Sequence, residues 1–157
     1  MSIDGRDLFV APGGVGGKAG TGDRLAGGNL AVSAMLFANY VETRDGLLFV
    51  VGGGHDRRWL PNVPDVLNIA VCLLFEAGNT AAGDYTVSVV VRNPVGDERG
   101  RATFPVTIKS PGDIVRIPRA LLVRTTADQF GAWSAEVERE GRMLASAAFM
   151  IRRTGEA

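Results

Sequence analysis

The chain has 157 residues, with 17 Lys+Arg, 17 Asp+Glu and one His, so its formal net charge is zero. That length suits one domain, and the 46% hydrophobic content is enough for a core. Zero net charge argues against a nucleic-acid binder held by a basic face and against a polybasic membrane anchor, while one Cys forbids an internal disulfide.

The chain begins Met1-Ser2-Ile3-Asp4-Gly5-Arg6-Asp7, without the basic and then apolar regions of a signal peptide. The longest apolar run, Ile69 to Phe75, is seven residues. A spanning helix needs roughly 20. These signals lead us to expect a cytoplasmic protein with no membrane partner.

Residues 1–31 hold nine of the 21 glycines. The stretch has little apolar material to offset the entropy of ordering it. We expect a flexible glycine-rich tail over 1–31 and a folded domain over 32–153. A short apolar patch, Leu8-Phe9-Val10, has the character of an edge strand. Pro12 to Ala19 imitates a phosphate loop. However, Pro12 stands where the first Gly belongs and Ala19 where the magnesium-binding hydroxyl belongs. A dinucleotide fingerprint on Gly14, Gly16 and Ala19 lacks the helix that must follow it. No nucleotide cofactor is expected.

From Val32 the pattern is short strands and turns. Val32 to Val41 reads as one strand. Thr43-Arg44-Asp45-Gly46 is a turn with the favoured Asp-Gly pair, and Leu47 to Val51 is the return strand, ending in Gly52-Gly53-Gly54. Val66 to Phe75 is apolar at nearly every position, as for a strand covered on both faces. Tyr85, Val87, Val89 and Val91 alternate with Thr86, Ser88, Val90 and Arg92, and Asn93-Pro94 and Gly96-Asp97 close that strand. In Arg101 to Lys109, Pro105 predicts an edge or a bulge. Val115 to Val123 is expected to break at Pro118. Trp133, Ala135 and Val137 alternate with Ser134, Glu136 and Glu138. Glu140-Gly141 then turns into Met143 to Ile151, a terminal hairpin. About seven to eight strands and no helical stripe predict an all-β, antiparallel β-sandwich.

The most distinctive segment is Gly52-Gly53-Gly54-His55-Asp56-Arg57-Arg58-Trp59. His55, Asp56, Arg57, Arg58 and Trp59 are the candidate binding residues: a proton carrier, its orienting acid, two guanidiniums for an anion and an indole for a ring. The structural alternative is a bend in which Trp59 plugs one end of the sandwich. No second His, and no Ser or Cys nucleophile in a recognisable setting, completes a catalytic set. One His and one Cys exclude the common structural zinc sites, so no metal is expected. Cys72 reads as a small buried hydrophobe.

Several features in order resemble a family of small bacterial β-sandwich proteins whose activity is unknown. They are Ala38-Asn39-Tyr40-Val41, Asp45-Gly46, Gly52-Gly53-Gly54-His55-Asp56-Arg57, Trp59 and Pro61, with the ending Gly131-Ala132-Trp133-Ser134 through Gly141 to Phe149. The resemblance covers Ala34 to Ile151 and implies an immunoglobulin- or fibronectin III-like fold, without implying catalytic residues. The functional expectation is a non-enzymatic module for protein interaction or self-association. The alternative is a small-ligand or carbohydrate-binding module that uses the 52–59 segment.

Overall fold

A computed structural model describes residues 29–110 and 115–155. The leader patch Leu8-Phe9-Val10, the phosphate-loop imitation and most of the expected tail lie outside them. The described chain is all-β. Its ten strands are β1 (Asn29–Ala38), β2 (Tyr40–Arg44), β3 (Leu47–Val51), β4 (Arg57–Leu60), β5 (Asp65–Gly78), β6 (Gly83–Arg92), β7 (Glu98–Ile108), β8 (Val115–Ala127), β9 (Gly131–Arg139) and β10 (Arg142–Arg153). They form a three-stranded sheet β1-β5-β8, a five-stranded sheet β4-β10-β9-β6-β7 and a two-stranded ribbon β2-β3. All pairings are antiparallel except β10 with β4.

One core joins the two larger sheets. The period-two alternation of β5 sends Ile69, Val71, Leu73, Phe75 and Ala77 into it, to meet Val87, Val89 and Val91 of β6 and Trp133, Ala135 and Val137 of β9. Trp133 is 1% exposed, and its indole N–H donates to the Gln129 carbonyl at 3.1 Å. Phe149 connects it to β1, with ring centroids 6.3 Å from Trp133 and 5.0 Å from Phe37. The outer face of the five-stranded sheet is polar. There Arg92 bonds Glu136 at 2.8 Å and Glu138 at 3.0 Å, and Arg101 bonds Glu98 at 2.7 Å.

Several expectations are corrected. The described residues form ten strands, where seven to eight were expected. β1 starts at Asn29, inside the segment read as tail, because residues from Asn29 onward pair with the end of β5. The single strand expected over Val32 to Val41 divides at Asn39, whose N–H turns to the Val51 and Gly52 carbonyls. β8 runs unbroken through Pro118. Among the described strands it lies at an edge and bonds only β5, so the missing N–H interrupts no second ladder there. Residues 57–59, read within the 52–59 bend, belong instead to a strand, Arg57–Leu60, that pairs with β10.

Other readings hold. β5 is buried at every position from Ile69 to Leu73. β7, with Pro105, lies at a sheet edge. Both two-residue turns have the two positive φ angles that a tight hairpin requires: 52° and 74° at Asp45-Gly46, and 50° and 75° at Glu140-Gly141.

Candidate functional site

Residues 52–54 bring the chain from β3 to β4 through a bend that glycine permits. Gly52 and Gly54 have φ of 62° and 82°. A Cβ on Gly52 would meet the Asn39 side chain, and one on Gly53 would lie 2.7 Å from Val50 Cγ1 and 3.2 Å from Leu36 Cδ1. The Gly54 N–H donates to the Phe37 carbonyl at 2.8 Å, tying the bend to the end of β1.

The five candidate residues then separate. His55 is half-buried, with Nδ1 3.3 Å from the Gly52 carbonyl oxygen and its ring centroid 6.4 Å from that of Phe37. The Asp56 carbonyl accepts the Met150 N–H at 2.7 Å, which opens the β4–β10 pairing. The Asp56 carboxylate bonds its neighbour Arg57 at 2.9 Å, and that hydrogen bond holds its pKa below the usual aspartate range. Arg58 reaches Asn39 Oδ1 at 3.5 Å. Along β4 the side chains alternate. Leu60 is buried in the core, while Trp59 points the other way and is 44% exposed. Trp59 is therefore no plug; Trp133 fills the core instead.

A shallow groove of about 210 Å³ is lined by Asp56, Ala132, Ala148, Phe149 and Met150. Pockets that enclose small molecules measure roughly 300–1,000 Å³. Of the five candidate residues only Asp56 lines it, so His55 and Trp59 do not share this concavity. Among the described residues no group of three His, Cys, Asp or Glu is placed to hold a metal ion.

A second surface was not anticipated as a site. The β2-β3 ribbon lies against β8 and, through β2, against β5, yet carries a run of large exposed apolar side chains. Tyr40 is 54% exposed, Leu47 63%, Phe49 43%, Val50 38% and Val51 61%. Pairing Tyr40 with Val51, Glu42 with Phe49 and Arg44 with Leu47 gathers Tyr40, Leu47, Phe49 and Val51 on one face. Glu42 accepts hydrogen bonds from the Tyr40 hydroxyl at 3.1 Å and from Arg44 at 3.0 Å, and the Arg44 guanidinium lies 5.7 Å from the Phe49 ring centroid. The Glu42 carboxylate raises the pKa of the Tyr40 phenol above its ordinary value. The sequence carried part of the signal, a departure from alternation, but not the exposure itself. Leu47 to Val51 has no polar residue, whereas a half-buried strand alternates.

No family model and no curated protein matches the chain. Solved structures do. One is the alkylpurine DNA glycosylase AlkC of Pseudomonas fluorescens bound to DNA containing an abasic site analog, with 14% identity and a TM-score of 0.47, covering 78% of this chain and 30% of that one. Another is an immunoglobulin-like protein from Pseudomonas aeruginosa, with 15% identity and a TM-score of 0.40, covering 81% of this chain and 99% of that one. Both TM-scores lie below 0.5, so neither likeness assigns this chain a ligand or an activity. One expectation is corrected nonetheless. A similar structure is an enzyme, so the exclusion of enzymatic activity read from the incomplete catalytic set is withdrawn.

Proposed function

We propose that the chain is an immunoglobulin-like β-sandwich that serves as a protein-interaction or assembly module, and that the β2-β3 ribbon is its contact surface. The supporting observation is the exposure of four large apolar side chains, Tyr40, Leu47, Phe49 and Val51, on one face of a short ribbon. Isolated exposed hydrophobics need no explanation, but a contiguous group of them marks a surface that another molecule covers. The one Cys, buried and unpaired, fits a cytoplasmic setting.

If the ribbon serves contact rather than folding, its exposed side chains contribute little to stability. The double variant Leu47→Ser/Val51→Ser is therefore expected to unfold in urea within about 0.5 kcal/mol of the parent, the usual range for exposed positions. A loss above roughly 2 kcal/mol would show that these side chains belong to the core and would remove the reading.

A second reading, a small-ligand or carbohydrate-binding module, is favoured by the exposure of Trp59 beside the Asp56–Arg57 ion pair. It requires Trp59→Ala to abolish ligand capture in a glycan or metabolite screen. Unchanged capture would remove it.

A further inference from the structure

We infer that the outer edge of β3 pairs antiparallel with β3 of a second copy of this chain, about a twofold axis through Phe49. This rests on reading the ribbon as a contact surface, and it names the occupant.

The first argument is the contrast between β3 and the other sheet edges. A free edge presents unpaired N–H and C=O groups, and natural proteins blunt it with charge, proline or bulges. β7 carries Glu98, Arg99, Arg101 and Pro105; β8 carries Arg116, Pro118, Arg119 and Arg124; β4 carries Arg57 and Arg58. β1 is uncharged, but its register shifts between Val32 and Ala34, and its Phe37 carbonyl is taken by Gly54. β3 has none of these devices. Its five residues are Leu47-Leu48-Phe49-Val50-Val51, and four of them are exposed.

The second argument is self-complementarity. The tight turn at Asp45-Gly46 makes Arg44 and Leu47 a hydrogen-bonded pair. Alternation along the ladder then directs the Leu47, Phe49 and Val51 backbone groups to β2, and those of Leu48 and Val50 outward. An antiparallel twofold at Phe49 sets Leu48 against Val50 of the second copy and Val50 against its Leu48. Each pair exchanges both of its bonds. Leu47 meets Val51, and Phe49 meets Phe49. Every contact is apolar against apolar, and no like charges face one another. The zero net charge of the chain adds no long-range repulsion between copies. The four-stranded sheet that results extends the apolar face of Tyr40, Leu47, Phe49 and Val51 across both copies.

The register makes a specific test. On the axis, the two Phe49 residues form a non-hydrogen-bonded pair with Cα atoms about 4.5 Å apart, within the disulfide range of about 4.4–6.8 Å. The two Leu47 residues lie roughly 13 Å apart, too far to bridge. In the full chain with Cys72→Ala, Phe49→Cys is expected to oxidise to a covalent dimer, and Leu47→Cys is expected not to. A mixture of Leu47→Cys and Val51→Cys chains is expected to cross-link to each other.

Sedimentation equilibrium of the unmodified chain, between roughly 1 µM and 1 mM, is expected to rise from 16.6 kDa towards twice that mass. Val50→Pro, which removes an outward N–H and leaves the β2 pairing intact, is expected to weaken association about tenfold or more. Phe49→Lys is expected to act alike, because each lysine has Glu42 beside it in its own ribbon and a second lysine across the axis.

A mass of 16.6 kDa throughout overturns the pairing. So does a dimer that ignores both variants, or one that cross-links through Leu47→Cys alone. The stability of Leu47→Ser/Val51→Ser separates these failures from failure of the contact-surface reading. If that double variant keeps its stability while the chain stays monomeric, the surface stands and its occupant is not a second copy.

Discussion

Asn93→Ala is expected to cost about 2–4 kcal/mol of unfolding free energy. Asn93 is 4% exposed and holds the β6–β7 turn from inside. Its Oδ1 accepts the Asp97 N–H at 2.8 Å and the Val95 N–H at 3.2 Å. Its Nδ2 donates to Asp128 at 3.3 Å, which links this turn to the one between β8 and β9. Arg99 reinforces the same link, bonding Asp128 at 2.6 Å and Asp97 at 3.1 Å. Alanine leaves two backbone donors without their acceptor and breaks the bridge. At about 1 kcal/mol for each lost bond, with partial rescue by water at the turn surface, the sum falls in that range. For a chain of this length the midpoint of thermal unfolding drops by roughly 5–15 °C. The assay is urea and thermal unfolding followed by circular dichroism. Asn93→Asp sharpens the test. It keeps an acceptor but sets a third carboxylate beside Asp97 and Asp128, which raises its pKa in the folded state. Its deficit is therefore greatest at neutral pH and shrinks as pH falls and the carboxyl protonates. A loss below about 0.5 kcal/mol for Asn93→Ala would refute the claim that this amide pins the two turns.

Thr125 Oγ1 is buried and lacks a hydrogen-bond partner among the described residues, so Thr125→Val is expected to raise stability by about 1 kcal/mol in urea titration; a decrease would point to a partner for the hydroxyl. Cys72 is 2% exposed and burial pushes its thiol pKa up, so a thiol reagent is expected to modify it only at the rate of unfolding, and modification as fast as a free thiol would place it at the surface. The hydrogen bond from Arg101 lowers the Glu98 pKa. The contribution of Glu98 is complete above the ordinary glutamate pKa and is lost as pH falls through the lower folded value. The urea midpoint of Glu98→Gln is thus expected to fall less between pH 6 and 3 than that of the parent, and parallel curves would show that the pair adds nothing.

What the sequence disclosed depended on local physics. Asp45-Gly46 and Glu140-Gly141 announced their hairpins because a two-residue turn demands positive φ, which glycine supplies at no steric cost and Asp tolerates, while Glu140 takes it alongside Gly141. The unbroken apolar run of Ile69 to Phe75 disclosed a strand covered on both faces. What stayed hidden depended on neighbours distant in sequence. β4 has only four residues, three of them Arg or Trp, and its pairing with β10 places it about 90 positions from its partner. The tolerance of β8 for Pro118 follows from its place at an edge, which no local pattern gives. At 52–59 the residue types suggested a site, but strand alternation sends Leu60 to the core and Trp59 to the surface, while His55 stays in the bend before the strand. The five apolar residues of β3 were legible as a strand. Their exposure was not, because it depends on where β5 and β8 leave the ribbon uncovered.

The account turns on β3 being folded against β2 while its other edge stays open, and residue-resolved amide hydrogen exchange in dilute solution measures this directly. The predicted result alternates: slow exchange at Leu47, Phe49 and Val51, which bond to β2, and fast exchange at Leu48 and Val50, which face outward. Slow exchange at all five would mean the chain covers its own edge, and fast exchange at all five would mean the ribbon does not form; either contradicts the account.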